Sequence, residues 1–439
     1  MPRLVVRPLE RFLQLEAGSA SLLMAGALAA LLWSNLSEGS YNDLWSTRVA
    51  LELGPLQLEE DLRHVVNDLL MVVFFYVVAL EVKREVRLGS LREPRSAAVP
   101  VAAALGTMVG AAVTYIAVNL GDGELRGWAI PIATDIAFAL GVLGLAGRRA
   151  PRELRAFLLT LAVVDDLGTI AVIALFYAQD ISLAWLGAAA GLTLAVFVLQ
   201  RLGVRLLVPY IAVSGLLWIA TFESGVHPTI AGVVLGFLTP AVAFHSRQAA
   251  GAVVGEQLAE ISRSDNEVSE GTIWEASRLA REAVSPLARM EEQLHPWSAY
   301  MILPLFALAN AGVPVSIGGI ADALSGPVGL GIALGLVVGA PLGGLFFAWA
   351  LVRFGPARIP DGLDWPAIGG AAPLKGIGFT VAIFISVLAF DDEALREEAK
   401  LAILIASAVA AVIGLIVLYG RHLAVGRRGG GAKPSARAS

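Results

Sequence analysis

The chain has 439 residues, 57% of them hydrophobic and 16% charged. Mean hydropathy is +0.73, and apolar stretches long enough to cross a bilayer recur along nearly its whole length, the pattern of an all-α polytopic membrane protein. It has no cysteine, which excludes disulfides, thiol catalysis and cysteine-ligated metals, and its net charge of -5 says little about partners. The alternation expected of a membrane β-barrel is absent, and no nucleic-acid partner is expected.

In chain order the hydropathy pattern predicts twelve spans, at 14–35, 62–84, 97–119, 127–146, 152–178, 182–201, 205–221, 225–243, 296–313, 327–353, 366–389 and 397–421. The first span begins without a recognisable cleavage site before it. Basic residues cluster after the second span (Lys83, Arg84, Arg87, Arg92, Arg95), the fourth (Arg148, Arg149, Arg152, Arg155), the sixth (Arg201, Arg205) and the tenth (Arg353, Arg358), which places both termini in the cytoplasm. Residues 1–421 thus read as one twelve-helix domain. Its two long connections are residues 37–61, with a Gly54-Pro55 turn between short strand-like runs, and residues 244–294, a cytoplasmic loop with an amphipathic helix around 272–294. The first reads as an outer β-hairpin whose strand edges could pair with a second copy. Residues 422–439 read as a basic, disordered cytoplasmic tail.

The second span carries Asp68, and nearer its cytoplasmic end Glu81, Lys83, Arg84 and Glu85. These read either as a solvated helix end or as a negative funnel that concentrates cations. In the fourth span, Pro131 removes a backbone donor just before Thr134-Asp135, which predicts a broken helix with polar groups at the break. Asp135 can cap a half-helix there, ligate a cation, or do both.

The fifth span holds Asp165-Asp166 in the middle of an apolar run. One aspartate at the centre of a spanning helix costs at least about 2.5 kcal/mol to insert, so an adjacent pair marks a functional site. Adjacent helical residues point about 100° apart, yet both can border one crevice. Two unit charges about 4 Å apart at an effective dielectric near 20 repel by about 4 kcal/mol, which favours either protons or a cation at the pair. Oxygen ligands suit a hard ion such as sodium or lithium.

His227 lies at the outer start of the eighth span, and His295, with Glu291 and Glu292, at the cytoplasmic start of the ninth. Each reads either as a structural hydrogen-bonding group or as a pH-responsive one. The tenth span repeats glycine at 331, 335, 339 and 343, a small-residue packing face. The eleventh offers a second break at Pro373-Leu374-Lys375-Gly376-Ile377-Gly378-Phe379-Thr380. Spans 3–5 and 10–12 start on opposite sides of the membrane, so they form an inverted repeat in which the broken fourth and eleventh helices cross.

Thr134-Asp135-Ile136-Ala137-Phe138-Ala139-Leu140-Gly141, Asp165-Asp166-Leu167-Gly168, Gly225-Val226-His227-Pro228-Thr229, Leu294-His295-Pro296-Trp297, Pro304-Leu305-Phe306-Ala307-Leu308-Ala309-Asn310-Ala311-Gly312 and Gly376-Ile377-Gly378-Phe379-Thr380, in this order, resemble the bacterial NhaA sodium/proton antiporters over about residues 12–421. The resemblance implies a cofactor-free transporter of Na+ or Li+ and H+ in the bacterial inner membrane, not an enzyme, and a homodimer through the outer hairpin. It also implies roles: Asp165 and Asp166 as ion and proton carriers, Asp135 and Thr134 at the helix break, Asp68, Glu81 and Glu85 along a cytoplasmic funnel, and Glu291 in pH response.

Two departures stand out. The family has a lysine immediately before Pro-Leu-Gly in the tenth helix, paired with the first aspartate of the doublet, and here that position is Ala340. Conversely Lys375 precedes Gly376, where a small or apolar residue is expected, so Lys375 is expected to supply the missing cation and pair with Asp165. In the pH-response segment Ala288 and Glu292 stand where the family often has a lysine and a histidine, so its pH set-point does not transfer. The rival reading is a sodium-coupled symporter of an organic solute, which would need more polar side chains in the core than the acids, Thr134, Asn310, Lys375 and Thr380 supply.

Overall fold

The computed structural model describes residues 3–53, 56–121, 123–145, 152–204, 206–243, 270–355, 357–360 and 362–429, with isolated positions at 251, 253 and 255. The Gly54-Pro55 turn, Arg148, Arg149, Arg205, most of the loop 244–294 before Glu270, and the tail from residue 430 lie outside the described residues. The described residues are almost entirely helical, with one two-stranded sheet among them. Among the described residues eight helices are long and apolar enough to cross a membrane, or nine with the bent pair near the C-terminus as one span. Leu207–Glu223 and Thr229–Leu238 are shorter apolar helices, so the expected twelve spans are not all met by length and composition.

In chain order the helices are α1 (Arg3–Leu36), α2 (Glu38–Trp45), α3 (Leu62–Leu88), α4 (Pro94–Asn119), α5 (Ile136–Leu145), α6 (Arg152–Phe176), α7 (Leu183–Arg201), α8 (Leu207–Glu223), α9 (Thr229–Leu238), α10 (Glu270–Glu282), α11 (Pro286–Trp297), α12 (Leu303–Asn310), α13 (Ile317–Ser325), α14 (Pro327–Phe354), α15 (Trp365–Gly376), α16 (Phe379–Ala389) and α17 (Glu393–Gly429). Strands β1 (Arg48–Leu53) and β2 (Leu56–Asp61) pair antiparallel from Arg48↔Asp61 to Leu53↔Leu56.

The predicted amphipathic helix near 272–294 is two helices: Ser285 accepts the Ala288 N–H through its side chain and starts α11, with Pro286 at the first helical position. The α-helix α13 and the short α2 are additional to the expected spans. The last helix runs to Gly429, beyond its expected end at 421; no proline interrupts it, and its glycines at 414, 420 and 426 are single and carried by the apolar run around them.

The chain divides into two compact units. The larger contains the chain up to Met71, Ser90–Gln179 and everything from Ala299. Its tightest packing is α4 on α14, and the glycine ladder of α14 is that interface. A Cβ added at Gly343 would lie 2.1 Å from the Gly106 carbonyl oxygen, and one at Gly339 would lie 2.6 Å from that of Gly110. Backbones therefore touch there, which is what small residues allow where lipid gives no hydrophobic drive to helix pairing. The smaller unit, Val72–Gly89 with Asp180–Ser298, holds α7, α8 and α9 against one another, and Gly232 brings α9 within van der Waals contact of the Val72 carbonyl.

Candidate functional site

Two interrupted helices meet in the larger unit. The 3-10 segment Leu125–Ile132, which contains Pro131, gives way to extended backbone at Ala133, and α5 starts only at Ile136. Across from it, α15 ends in a 3-10 turn at Ala372–Gly376 and α16 begins at Phe379, with a 43° bend between them. The extended stretches hydrogen-bond each other: the Asp135 N–H donates to the Ile377 carbonyl at 2.7 Å. Approach this close requires glycine. A Cβ at Gly376 would sit 2.5 Å from the Leu336 carbonyl oxygen, and one at Gly378 would sit 3.0 Å from that of Ala133.

Asp135 joins both half-helices that leave the crossing. Its Oδ1 accepts the Phe138 N–H at 2.9 Å, in the first turn of α5, and its Oδ2 accepts the Thr380 hydroxyl at 2.5 Å and the Thr380 N–H at 3.3 Å, in the first turn of α16. A carboxylate at two helix N-termini satisfies free backbone donors and both macrodipoles. The capping reading of Asp135 thus has direct geometric support.

Asp165 is 1% exposed, on α6. Its Oδ1 accepts the Thr107 hydroxyl of α4 and its Oδ2 accepts the Thr134 hydroxyl from the helix break, both at 3.1 Å. Lys375, 5% exposed, ion-pairs with Asp165 and donates to the Thr134 hydroxyl at 2.9 Å. Lysine, threonine and aspartate thus close a ring at the crossing, with a second threonine behind it. A charge pair this deep in protein is tolerable because each carboxylate oxygen also receives a hydroxyl. Ala340, on α14, is 1% exposed and leaves no charge at that position. Asp166, the next residue, is less buried than Asp165 and makes contacts of its own. Among the described residues no group of three His, Cys, Asp or Glu side chains is arranged to hold a metal ion, so a bound hard cation would depend on hydroxyl and backbone oxygens beside the carboxylates.

The remaining sequence-predicted residues stand elsewhere. Asp68 lies half-buried in the π-helical turn Val65–Leu70 of α3, next to Asn67, which forms a reciprocal amide pair with Asn310 of α12 at 2.8 and 3.3 Å. In the smaller unit, Glu291 of α11 is 6% exposed and ion-pairs with Arg84 of α3, while His295 Nε2 lies 3.7 Å from Glu81. Burial pushes the Glu291 carboxyl above the usual 4.5, against the opposing pull of Arg84 and His295. Glu85 is half-buried one turn along α3. His227, just before α9, accepts the Thr229 N–H at 3.4 Å and shares a 2.9 Å hydrogen bond with its hydroxyl.

Sequence reasoning missed Thr107, and it named Arg84 beside Glu81 and Glu85 without its partner Glu291. Thr107 sits in a small, apolar stretch and gains its partner 58 residues away, so no local pattern marks it. Arg84 was visible only as one of several bases at a helix end.

Residues 10–418 match the family described as Na+/H+ antiporter 1. The chain is 42% identical over 425 residues to the Na(+)/H(+) antiporter NhaA of Rhodopirellula baltica, covering 94% of each chain. It is 43% identical to the Na(+)/H(+) antiporter NhaA 2 of Myxococcus xanthus over 95% of this chain and 90% of the relative, and 42% identical to the Na(+)/H(+) antiporter NhaA 3 of Acidiphilium cryptum over 97% and 94%. With the crossed breaks, the buried aspartate and a match over nearly its whole length, this multi-pass membrane chain belongs to the NhaA family of sodium/proton antiporters, which are transporters and not enzymes.

Proposed function

We propose that the chain exports Na+ or Li+ in exchange for H+ across the bacterial inner membrane, with the ions competing for Asp165 and Asp166 under alternating access. The observation that carries this reading is the Asp165 ring at the crossed helix breaks. A carboxylate held by two hydroxyls and a lysine has oxygens of the kind a dehydrated sodium ion needs, and its counter-charge can be exchanged for a metal cation or a proton. Thr134 and Asp135 shape the break, and Asp166 offers the more accessible carboxylate. A cation favours ionised carboxylates and protons remove them, so occupancy by one expels the other, and access alternating between the two sides turns that competition into exchange.

Lys375 provides the positive charge that balances Asp165 when no cation is bound. Asp68, Glu81 and Glu85 line the cytoplasmic approach, and Glu291, with Arg84, His295 and Glu81, sets the pH response, to which His227 contributes at the opposite end. Both termini lie in the cytoplasm and the hairpin edge pairs two copies, a reading supported by the basic loops and by the strand edges of the hairpin. Sodium added to reconstituted vesicles bearing a proton gradient should alkalinise the acidic lumen, as read by a pH dye, and Asp166→Asn should abolish the signal. No sodium-dependent signal from the wild type between pH 6 and 9 would refute the reading.

A further inference from the structure

The N-terminus of α16 lies at the crossing and has no cap of its own. Its N-cap residue is Gly378, which lacks a side chain and whose Cβ, if it had one, would sit 3.0 Å from the Ala133 carbonyl oxygen. The first backbone N–H groups of a helix have no acceptor within the helix, so acceptors must come from elsewhere. Two other elements supply them. Asp135 takes the Thr380 N–H at 3.3 Å, and Ser407, 2% exposed on α17, accepts the Phe379 N–H through its hydroxyl oxygen at 3.2 Å. Ser407 stands 28 residues beyond the turn it serves, inside an apolar run that gives it no local signature.

This sharing of donors bears on the cation. Asp135 accepts the Phe138 N–H, the Thr380 N–H and the Thr380 hydroxyl, and every donor on a carboxylate competes with a cation for its lone pairs. Without Ser407 the Phe379 N–H has two outcomes. It turns to the carboxylate that already holds its neighbour Thr380, or it stays unpaired and leaves the positive end of the α16 dipole facing the crossing. Both disfavour a cation beside Thr134 and Asp135.

We propose that Ser407 is a positioning residue for cation binding: by taking the Phe379 N–H it keeps the Asp135 carboxylate and the start of α16 favourable to a sodium or lithium ion at the crossing. The inference rests on the reading of the crossed breaks as the exchange site. Ser407 acts through the α16 backbone and Asp135, without ligating the ion.

Three substitutions in the full chain test this. Ser407→Ala removes the acceptor, Ser407→Cys replaces it with a weak one of similar size, and Ser407→Thr keeps the hydroxyl. In reconstituted vesicles the Ala and Cys variants should raise the apparent KM for sodium about three-fold or more while maximal exchange stays within about two-fold, the split expected when binding and not turnover is lost. The sodium concentration that half-maximally protects the purified protein against heat should rise by the same factor, since an ion bound to the folded state stabilises it. Ser407→Thr should stay within about two-fold of wild type in both measurements. An unchanged KM in the Ala and Cys variants overturns the proposal, whatever their unfolding temperatures, and so does a Thr variant as impaired as Ala. Ala and Cys variants that fail to fold assign the hydroxyl to stability alone and overturn it equally. If the wild type itself shows no sodium-dependent exchange, the exchange reading fails instead.

Discussion

Lys375 and Asp165 form a buried ion pair bridged by the Thr134 hydroxyl, and they come from two different helices, one broken and one continuous. Removing the lysine leaves a carboxylate that is 1% exposed without its counter-charge. Breaking a buried pair from one side costs about 3–5 kcal/mol. Lys375→Ala should therefore lower the thermal unfolding temperature markedly and depress exchange in vesicles. Ala340→Lys added to that variant should recover part of both, because α14 packs directly on the 3-10 turn that carries Lys375. Recovery by neither measure would mean that the pair depends on its present geometry and not on charge alone.

The two threonines can be tested without disturbing volume. Thr107→Val and Thr134→Val each leave one Asp165 oxygen short of a hydroxyl donor, which costs about 1–3 kcal/mol for a buried group. Each should raise the apparent KM for sodium, and the Thr134 variant should do so more strongly because its hydroxyl also holds Lys375. Sodium titration of reconstituted exchange provides the comparison.

Glycine at the crossing is a packing requirement. Gly376→Ala would bring a methyl group 2.5 Å from the Leu336 carbonyl oxygen, with backbone on the far side unable to yield cheaply. Overpacking of this kind costs about 1–3 kcal/mol. The expected result is a lower unfolding temperature together with lost exchange, whereas Gly369→Ala, with open space around its Cβ position, should behave as wild type.

The Glu291 carboxyl is raised above the usual 4.5 chiefly by burial. A carboxyl whose folded value is raised binds its proton more tightly when folded. Its stabilising contribution is present below about 4.5 and is lost as pH rises through the raised value. Glu291→Gln should remove that dependence and so gain stability relative to wild type on the alkaline side of the window. Arg84→Ala removes a positive neighbour that lowers the value and should shift the transition to higher pH. Unfolding temperature and exchange rate measured across the same pH series distinguish the two variants.

Much of this protein is legible in its sequence. The apolar runs, Pro131 before Thr134-Asp135, the Asp165-Asp166 doublet and the spacing of Gly331, Gly335, Gly339 and Gly343 are local patterns, and local patterns survive in a linear chain because helix period, proline and desolvation act within a few residues. The pairing of β1 with β2 around Gly54-Pro55 is legible for the same reason. Less legible were helix ends: the break at Ser285 and the helical run to Gly429 depend on capping and packing that hydropathy alone does not weigh. Partners were the least legible. That Thr107 faces Asp165, that Asp135 caps two half-helices at once, and that Asn67 meets Asn310 are matters of helix crossing, where the position of a side chain is fixed by backbones many residues away. Sequence alone determined which residues carry charge and hydroxyl groups into the membrane, because their cost there singles them out. Apart from the Lys375–Asp165 pair, which the sequence had suggested, only the tertiary structure decided which of those groups touch, because the two helix breaks meet in space and not along the chain.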